Sequence, residues 1–275
     1  MLRLKDEIKL KVVLVSTSLI VGIYLVEIAI YFIEPGATTW DSPQLAAKHR
    51  AMAHKMGIKV DTRTISQVYR DLRSEGVDAV PFAAPSGFVE GKGIEGGEPL
   101  MPLGGVSRKI TIGANESGKF MIYPSDRYGF NNSDAEWDSP QVDWVLTGDS
   151  FVQGYAVQPG EDIAMQIRLI TGKNVLNLGM AGNGPLLELA VLKEYAESIK
   201  PKIVLWFYYE GNDRHDLARE ASVPLLMEYL QPEFSQNLIH RQTEINNRIL
   251  KDIEKKLLLS KTRILRLSYI RRLIQ

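Results

Sequence analysis

The chain has 275 residues, enough for one sizeable core beside a membrane anchor but not for two catalytic domains. Lys plus Arg and Asp plus Glu both total 33, so the net charge is zero, no long-range field gathers a polyanion, and nucleic acid is not an expected partner. The absence of cysteine excludes disulfides, thiolate zinc sites and a thiol nucleophile, and leaves the redox compartment open.

Val12 to Ile33 is an apolar run of 22 residues, broken only by small or hydroxyl residues, Tyr24, Tyr31 and Glu27. At about 1.5 Å of rise per residue such a run matches a hydrocarbon core of roughly 30 Å. Arg3, Lys5, Lys9 and Lys11 precede it, and no Lys or Arg follows before Lys48. The positive-inside rule therefore places residues 1–34 as a cytoplasmic tail and single-pass anchor, with the bulk of the chain on the far side. The run ends Tyr-Phe-Ile-Glu-Pro without a small-x-small cleavage site, so it is expected to be retained. Glu27 weighs against this, at about 2.5 kcal/mol or more for a carboxylate in the bilayer unless neutral or paired. A buried core helix in a soluble protein is the alternative.

Residues 35–124 read as an accessory segment. Ser66 to Gly76 has helical spacing through Val68 and Leu72, closed by Gly76. Pro81 to Gly105 is rich in glycine and proline and is expected to be a long irregular loop, of the kind that often covers a site. Lys109 to Ile112 and Lys119 to Tyr123 flank the turn-forming Ala114 to Gly118, which suggests a small hairpin.

From Val142 the pattern becomes strand–helix–strand. Val142 to Thr147, Asn174 to Leu178 and Lys202 to Tyr208 are expected as strands, with helices near Ala164 to Thr171 and Leu186 to Ser198. That alternation predicts an α/β fold with a parallel sheet covered on both faces and ligands bound beyond its carboxyl ends. After Asp213 the chain turns helical, and its end is rich in Leu, Ile, Lys and Arg.

Three polar, glycine-bearing turns fall at those carboxyl ends. The first strand runs into Thr147-Gly148-Asp149-Ser150, setting a serine at the mouth of the sheet. The second ends Asn177-Leu178-Gly179-Met180-Ala181-Gly182-Asn183-Gly184-Pro185, whose N–H groups open into a helix and suit a developing oxyanion. The third ends Glu210-Gly211-Asn212-Asp213, offering an amide donor. Each turn alone is weak evidence, and a Gly-Asn-Asp turn more often simply caps a helix; their joint order is what points to a site.

Gly148-Asp149-Ser150, Asn177 to Gly182 and Gly211-Asn212-Asp213 resemble blocks one, two and three of the SGNH/GDSL hydrolase superfamily, over roughly residues 140–216. The stretch from Ser125 to Phe130 onward resembles membrane-anchored bacterial members. The resemblance implies a three-layer α/β/α, flavodoxin-like parallel sheet over residues 125–275, ester hydrolysis through an acyl-serine on Ser150, and an oxyanion hole completed by Gly182 and Asn212. Asp149 and Asp213 are expected to support the turns structurally. Glu210 stands where the family's block three has its first glycine.

A serine needs a base to take its proton, and the resemblance implies a histidine in a late Asp-x-x-His block. No such block exists here: the residues three before His49, His54, His215 and His240 are Ala46, Ala51, Asn212 and Asn237. The sequence stops about 60 residues after block three, as expected of an incomplete domain or early-ending product. His215, near the predicted mouth, is a possible surrogate base that Asp213 or Asp216 would orient, and equally one residue of a solvated helix start. His49 and His54 read as exposed helix residues.

These observations support a single-pass protein of the bacterial inner membrane, mostly periplasmic or extracytoplasmic, acting on an acylated or acetylated envelope glycan or lipid. An inactive, truncated binding or scaffold protein is the competing expectation. A third reading places Arg263, Arg266, Arg271 and Arg272, among leucines, on lipid or on a partner, a pattern that an unfinished core face explains equally well. No metal or organic cofactor is suggested.

Overall fold

A computed structural model describes residues 2–33, 51, 55, 57, 60–155 and 157–261. His49, His54 and Arg263, Arg266, Arg271 and Arg272 therefore lie outside the described residues. The chain divides into two compact units, one of Met1–Ala47 with Glu254–Gln275 and the other of Lys48–Ile253.

In the first unit, α1 runs from Leu2 to Ile33. Its large apolar side chains Val13, Leu14, Val15, Leu19, Ile20, Leu25 and Val26 are all exposed. The membrane-crossing helix expected over Val12 to Ile33 is not met among the described residues, where no helix is long and apolar enough to cross a membrane. Side chains of α1 are described without a break only from Val13 to Val26, whereas a span needs about 20 residues.

The second unit opens with α2, Ile65–Ser74, started by a reciprocal cap: Thr64 Oγ1 accepts from the Gln67 N–H at 3.2 Å, and Gln67 Oε1 accepts from the Thr64 N–H at 2.7 Å. A small sheet follows, made of β1 (Ala79–Pro81), β2 (Ile110–Ile112) and β3 (Ile122–Pro124). β2 lies in the middle, parallel to β1 and antiparallel to β3. Between β1 and β2 the chain has no helix or strand beyond a 3-10 turn at Pro85–Phe88, yet Phe88, Val89, Leu100, Met101 and Leu103 are buried. This connection is thus packed rather than splayed on the surface.

The second sheet carries the site. β4 (Trp144–Thr147) is central, with β5 (Val175–Asn177) on one side and β6 (Ile203–Trp206) on the other, all parallel. The fold is therefore α/β, as the alternating pattern predicts. The short helix α3 (Ser150–Gln153) follows β4 directly, ended by Gly154 at φ +77°. α4 (Ile163–Thr171) is capped by Asp162, whose Oδ1 accepts from the Met165 N–H at 2.9 Å. Ile163, Ala164 and Ile167 pack with Trp144, Leu146, Val175 and Leu205 on one face of the sheet.

α5 (Pro185–Val191) starts with proline at its first position and runs on through a π turn at Leu192–Ala196. Strand periodicity puts Val145, Thr147, Val204 and Trp206 on the face opposite that core. There Trp206 Nε1–H donates to Glu188 Oε2, so α5 lies on that side. Of the two edge strands of this sheet, β5 is buried and β6 is the solvent-exposed one, with Ile203, Val204 and Trp206 exposed.

α6 (Asp213–Glu220) and α7 (Pro224–Met227) lead to α8 (Gln242–Lys261). Ile245, Ile249 and Ile253, four residues apart, form the buried stripe of α8. Asn246 ties that helix to Ser107, accepting the Ser107 N–H at 3.0 Å and donating to its Oγ at 2.8 Å.

Candidate active site

Ser150 is half-buried and takes the first position of α3, immediately beyond the carboxyl end of β4. Asp149 is the cap: its Oδ1 accepts from the Phe151 N–H at 2.9 Å, which fixes the first turn and the placement of Ser150. Gly148 precedes it at φ +158°, where a Cβ would lie 2.5 Å from Val152 Cγ2; only glycine fits so tight a turn.

The second turn is bound to the first by backbone and side chain. The Met180 N–H donates to Gly148 O at 3.2 Å, and the Ala181 N–H to Gln153 Oε1 at 2.8 Å. Asn177 is fully buried, donating to Val152 O at 2.7 Å and accepting from the Gly179 N–H at 3.0 Å. Gly182 sits at φ +77°, half-buried. Among the described residues neither the Ser150 N–H nor the Gly182 N–H donates a hydrogen bond.

Block three closes on block one. Asn212 Nδ2 donates to Asp149 Oδ2 at 3.5 Å and to Asp216 Oδ2 at 3.1 Å, so its amide protons are aimed at carboxylates. Asp213 is buried, and its Oδ2 accepts from the Tyr209 N–H at 2.6 Å. Burial raises the Asp213 pKa against that hydrogen bond, and Asp149 and Asp216 raise it further. Glu210 is exposed and its φ is not positive, so its position does not call for glycine, whereas a Cβ on Gly211 would lie 2.5 Å from the Tyr209 ring.

Ser150, Gly182 and Asn212 therefore stand on three turns linked at one edge of the parallel sheet, with Asp149 and Asp213 as internal braces. His215 stands apart: its side chain is 78% exposed, and Nδ1 is 3.8 Å from Asp216 Oδ1. Asp216 is already engaged by Asn212 and, at 3.1 Å, by Arg219. No hydrogen bond or ion pair joins any histidine to Ser150 among the described residues.

Several residues that build this edge went unrecognised in the sequence. Ser86, from the 3-10 turn between β1 and β2, donates to Ala181 O at 3.2 Å, and its Oγ lies 2.6 Å from where a Cβ on Gly182 would be. Glu220 accepts from the N–H groups of Gly184 at 2.6 Å, Leu186 at 2.9 Å and Leu187 at 3.3 Å, and so caps α5 from α6. Burial outweighs those donors and lifts its pKa to about 7. Burial likewise lifts Glu188 to about 8, against the Trp206 hydrogen bond and helped by the charges of Asp213, Glu220 and Asp149.

Among the described residues the buried atoms Thr147 Oγ1, Asn183 Oδ1 and Nδ2, Glu188 Oε1, Asn212 Oδ1 and Asp213 Oδ1 have no hydrogen-bond partner. Among the described residues no group of three or more His, Asp or Glu side chains is arranged to hold a metal ion. Comparison with protein-family models, with curated proteins and with solved structures finds no match.

Proposed function

We propose that this chain is a membrane-anchored ester hydrolase of SGNH/GDSL type, working through an acyl-serine on Ser150. The observation that carries the reading is the linkage of three turns at one sheet edge, Gly148 to Met180 at 3.2 Å and Asp149 to Asn212 at 3.5 Å. The order β5-β4-β6 supports a flavodoxin-like sheet, in which ligands bind beyond the carboxyl ends near the switch point. The 22-residue apolar run and the basic residues before it support an anchor in a bacterial inner membrane, with the bulk of the chain outside.

In the proposed reaction Ser150 Oγ bonds to the ester carbonyl carbon and the carbonyl oxygen becomes an oxyanion. The free N–H groups of Ser150 and Gly182 suit that charge, and Asn212 contributes when its amide turns from Asp149. The carbon–oxygen bond to the alcohol then breaks, the alcohol leaving with the proton lost by Ser150. Water hydrolyses the acyl-serine, returning the serine hydroxyl and a carboxylic acid. The substrate class is an acylated glycan or lipid of the envelope.

One observation favours a second reading, a binding protein that keeps the turns without turnover: His215 points to solvent and no other histidine reaches Ser150 among the described residues. Hydrolysis of p-nitrophenyl acetate by the full chain separates the two. Loss of hydrolysis in Ser150→Ala is the result expected of the hydrolase; equal rates for both proteins reject it and leave the binding reading.

A further inference from the structure

A cavity of about 280 Å³ opens directly beside Ser150. Its walls are largely apolar, contributed by Phe151, Tyr155, Val157 and Ile163. Glu116, Glu161 and Asp162 also line it, the two glutamates exposed and Asp162 buried, and no Lys or Arg does. Phe151 is 59% exposed and meets the half-exposed Tyr209 edge-on at 5.2 Å, so apolar surface continues out of the cavity toward block three.

We propose that this cavity is an acyl-chain subsite for a neutral, unbranched acyl group of about six to eight carbons. The inference deepens the hydrolase reading and rests on Ser150 as the nucleophile. Three features argue for it. Ser150 is itself part of the cavity lining, so the chain of an acyl group bonded to its Oγ has this space to enter. The volume is that of about nine methylene-sized groups, taking a water's share of roughly 30 Å³ as the unit, whereas an acetyl methyl leaves most of it empty. Three carboxylates and no cation in the lining repel an anionic acyl group such as a succinyl half-ester, while the apolar walls reward each methylene taken from water.

The test uses the full chain in lipid nanodiscs and p-nitrophenyl esters from acetate to dodecanoate, with the mono-succinate ester as the anionic probe. kcat/KM is expected to rise about fourfold per methylene until the cavity fills, near hexanoate to octanoate, and to be at least about tenfold lower for the succinate than for the butyrate. Val157→Trp, which fills the cavity, moves the optimum toward acetate. Binding of N-methylhexanamide, measured calorimetrically in wild type and Val157→Trp, reads the cavity without turnover.

Ser150-dependent hydrolysis that is flat with chain length and indifferent to Val157→Trp overturns the acyl subsite and leaves the nucleophile standing. Amide binding lost in Val157→Trp, without Ser150-dependent hydrolysis of any ester, overturns the nucleophile and with it the acyl subsite, and leaves an apolar binding cavity. Absence of both overturns the two together.

Discussion

Glu188→Gln should convert a pH-dependent cost of folding into a constant. Glu188 lies on α5 with one oxygen accepting from Trp206 Nε1–H and the other buried with no hydrogen-bond partner among the described residues. Burial is the main cause of its rise from 4.5 to about 8, and the neighbouring charges of Asp213, Glu220 and Asp149 add to it. A folded-state pKa above the unfolded one means that the folded chain holds the proton more tightly. Stability from this group is therefore greatest below the unfolded value and falls as pH rises through the folded value, at about 1.4 kcal/mol per pH unit in between. Over the whole shift the ceiling is about 5 kcal/mol, and relaxation around the ionised group reduces it. Glutamine keeps an acceptor for Trp206 and has no proton to lose. Urea unfolding, followed by tryptophan fluorescence at about pH 5 and about pH 8, should show the variant gaining at least about 2 kcal/mol on wild type across that interval. A difference that stays the same at both pH values would refute the assignment of a buried, neutral Glu188.

Gly182→Ala should cost about 1–2 kcal/mol, since it combines φ +77° with a Cβ 2.6 Å from Ser86 Oγ. Adding Ser86→Gly recovers the steric part alone, a coupling of at least about 0.5 kcal/mol that a double-mutant unfolding cycle measures. Glu194→Ala should destabilise by about 3 kcal/mol or more, because Tyr229 OH at 2.6 Å, Ser235 Oγ at 3.0 Å and the Leu238 N–H at 2.8 Å lose their common acceptor. Chemical denaturation reads that loss; a cost under about 1 kcal/mol would show the network to be dispensable.

The second sheet was legible because each strand is a short apolar run bounded by turn residues. Val142 to Thr147, Asn174 to Leu178 and Lys202 to Tyr208 enclose β4, β5 and β6 with no more than two residues to spare at either end. The stop signals were equally local, with Gly154 and Gly172 both in the left-handed region at helix ends. β1 escaped notice because three residues ending in proline carry no period, and its partner Ile110 to Ile112 lies some 30 residues onward. The stripe of Ile245, Ile249 and Ile253 was diluted by charged neighbours, so α8 read as helical and rich in Leu, Ile, Lys and Arg but without bounds or a buried face.

The same contrast divides the site. Ser150, Gly182 and Asn212 stand in compact motifs, each beside its own strand end. The groups that hold those motifs together act across long separations, and nothing in local spacing marks them. Ser86 reaches a turn some 95 residues away, Glu220 caps a helix about 35 residues earlier, and Asn132 bridges to the Asn177 backbone across 45. Glu188 offered one clue, a lone carboxylate amid Leu186, Leu187, Leu189 and Ala190. The stretch at Ser125 to Phe130 is explained by Asp126, fully buried and lifted to about 6 by burial, which accepts from Asn132, Trp137 and the Tyr128 and Phe130 N–H groups. That cluster braces β5 through Asn132 rather than touching the serine.

The most direct measurement is covalent: the full chain is incubated with an alkyl fluorophosphonate and the modified peptide is located by mass spectrometry. A single adduct on Ser150, absent from Ser150→Ala, is the result expected of a nucleophile at the sheet edge. An unmodified Ser150, or an adduct that persists in Ser150→Ala, would contradict it.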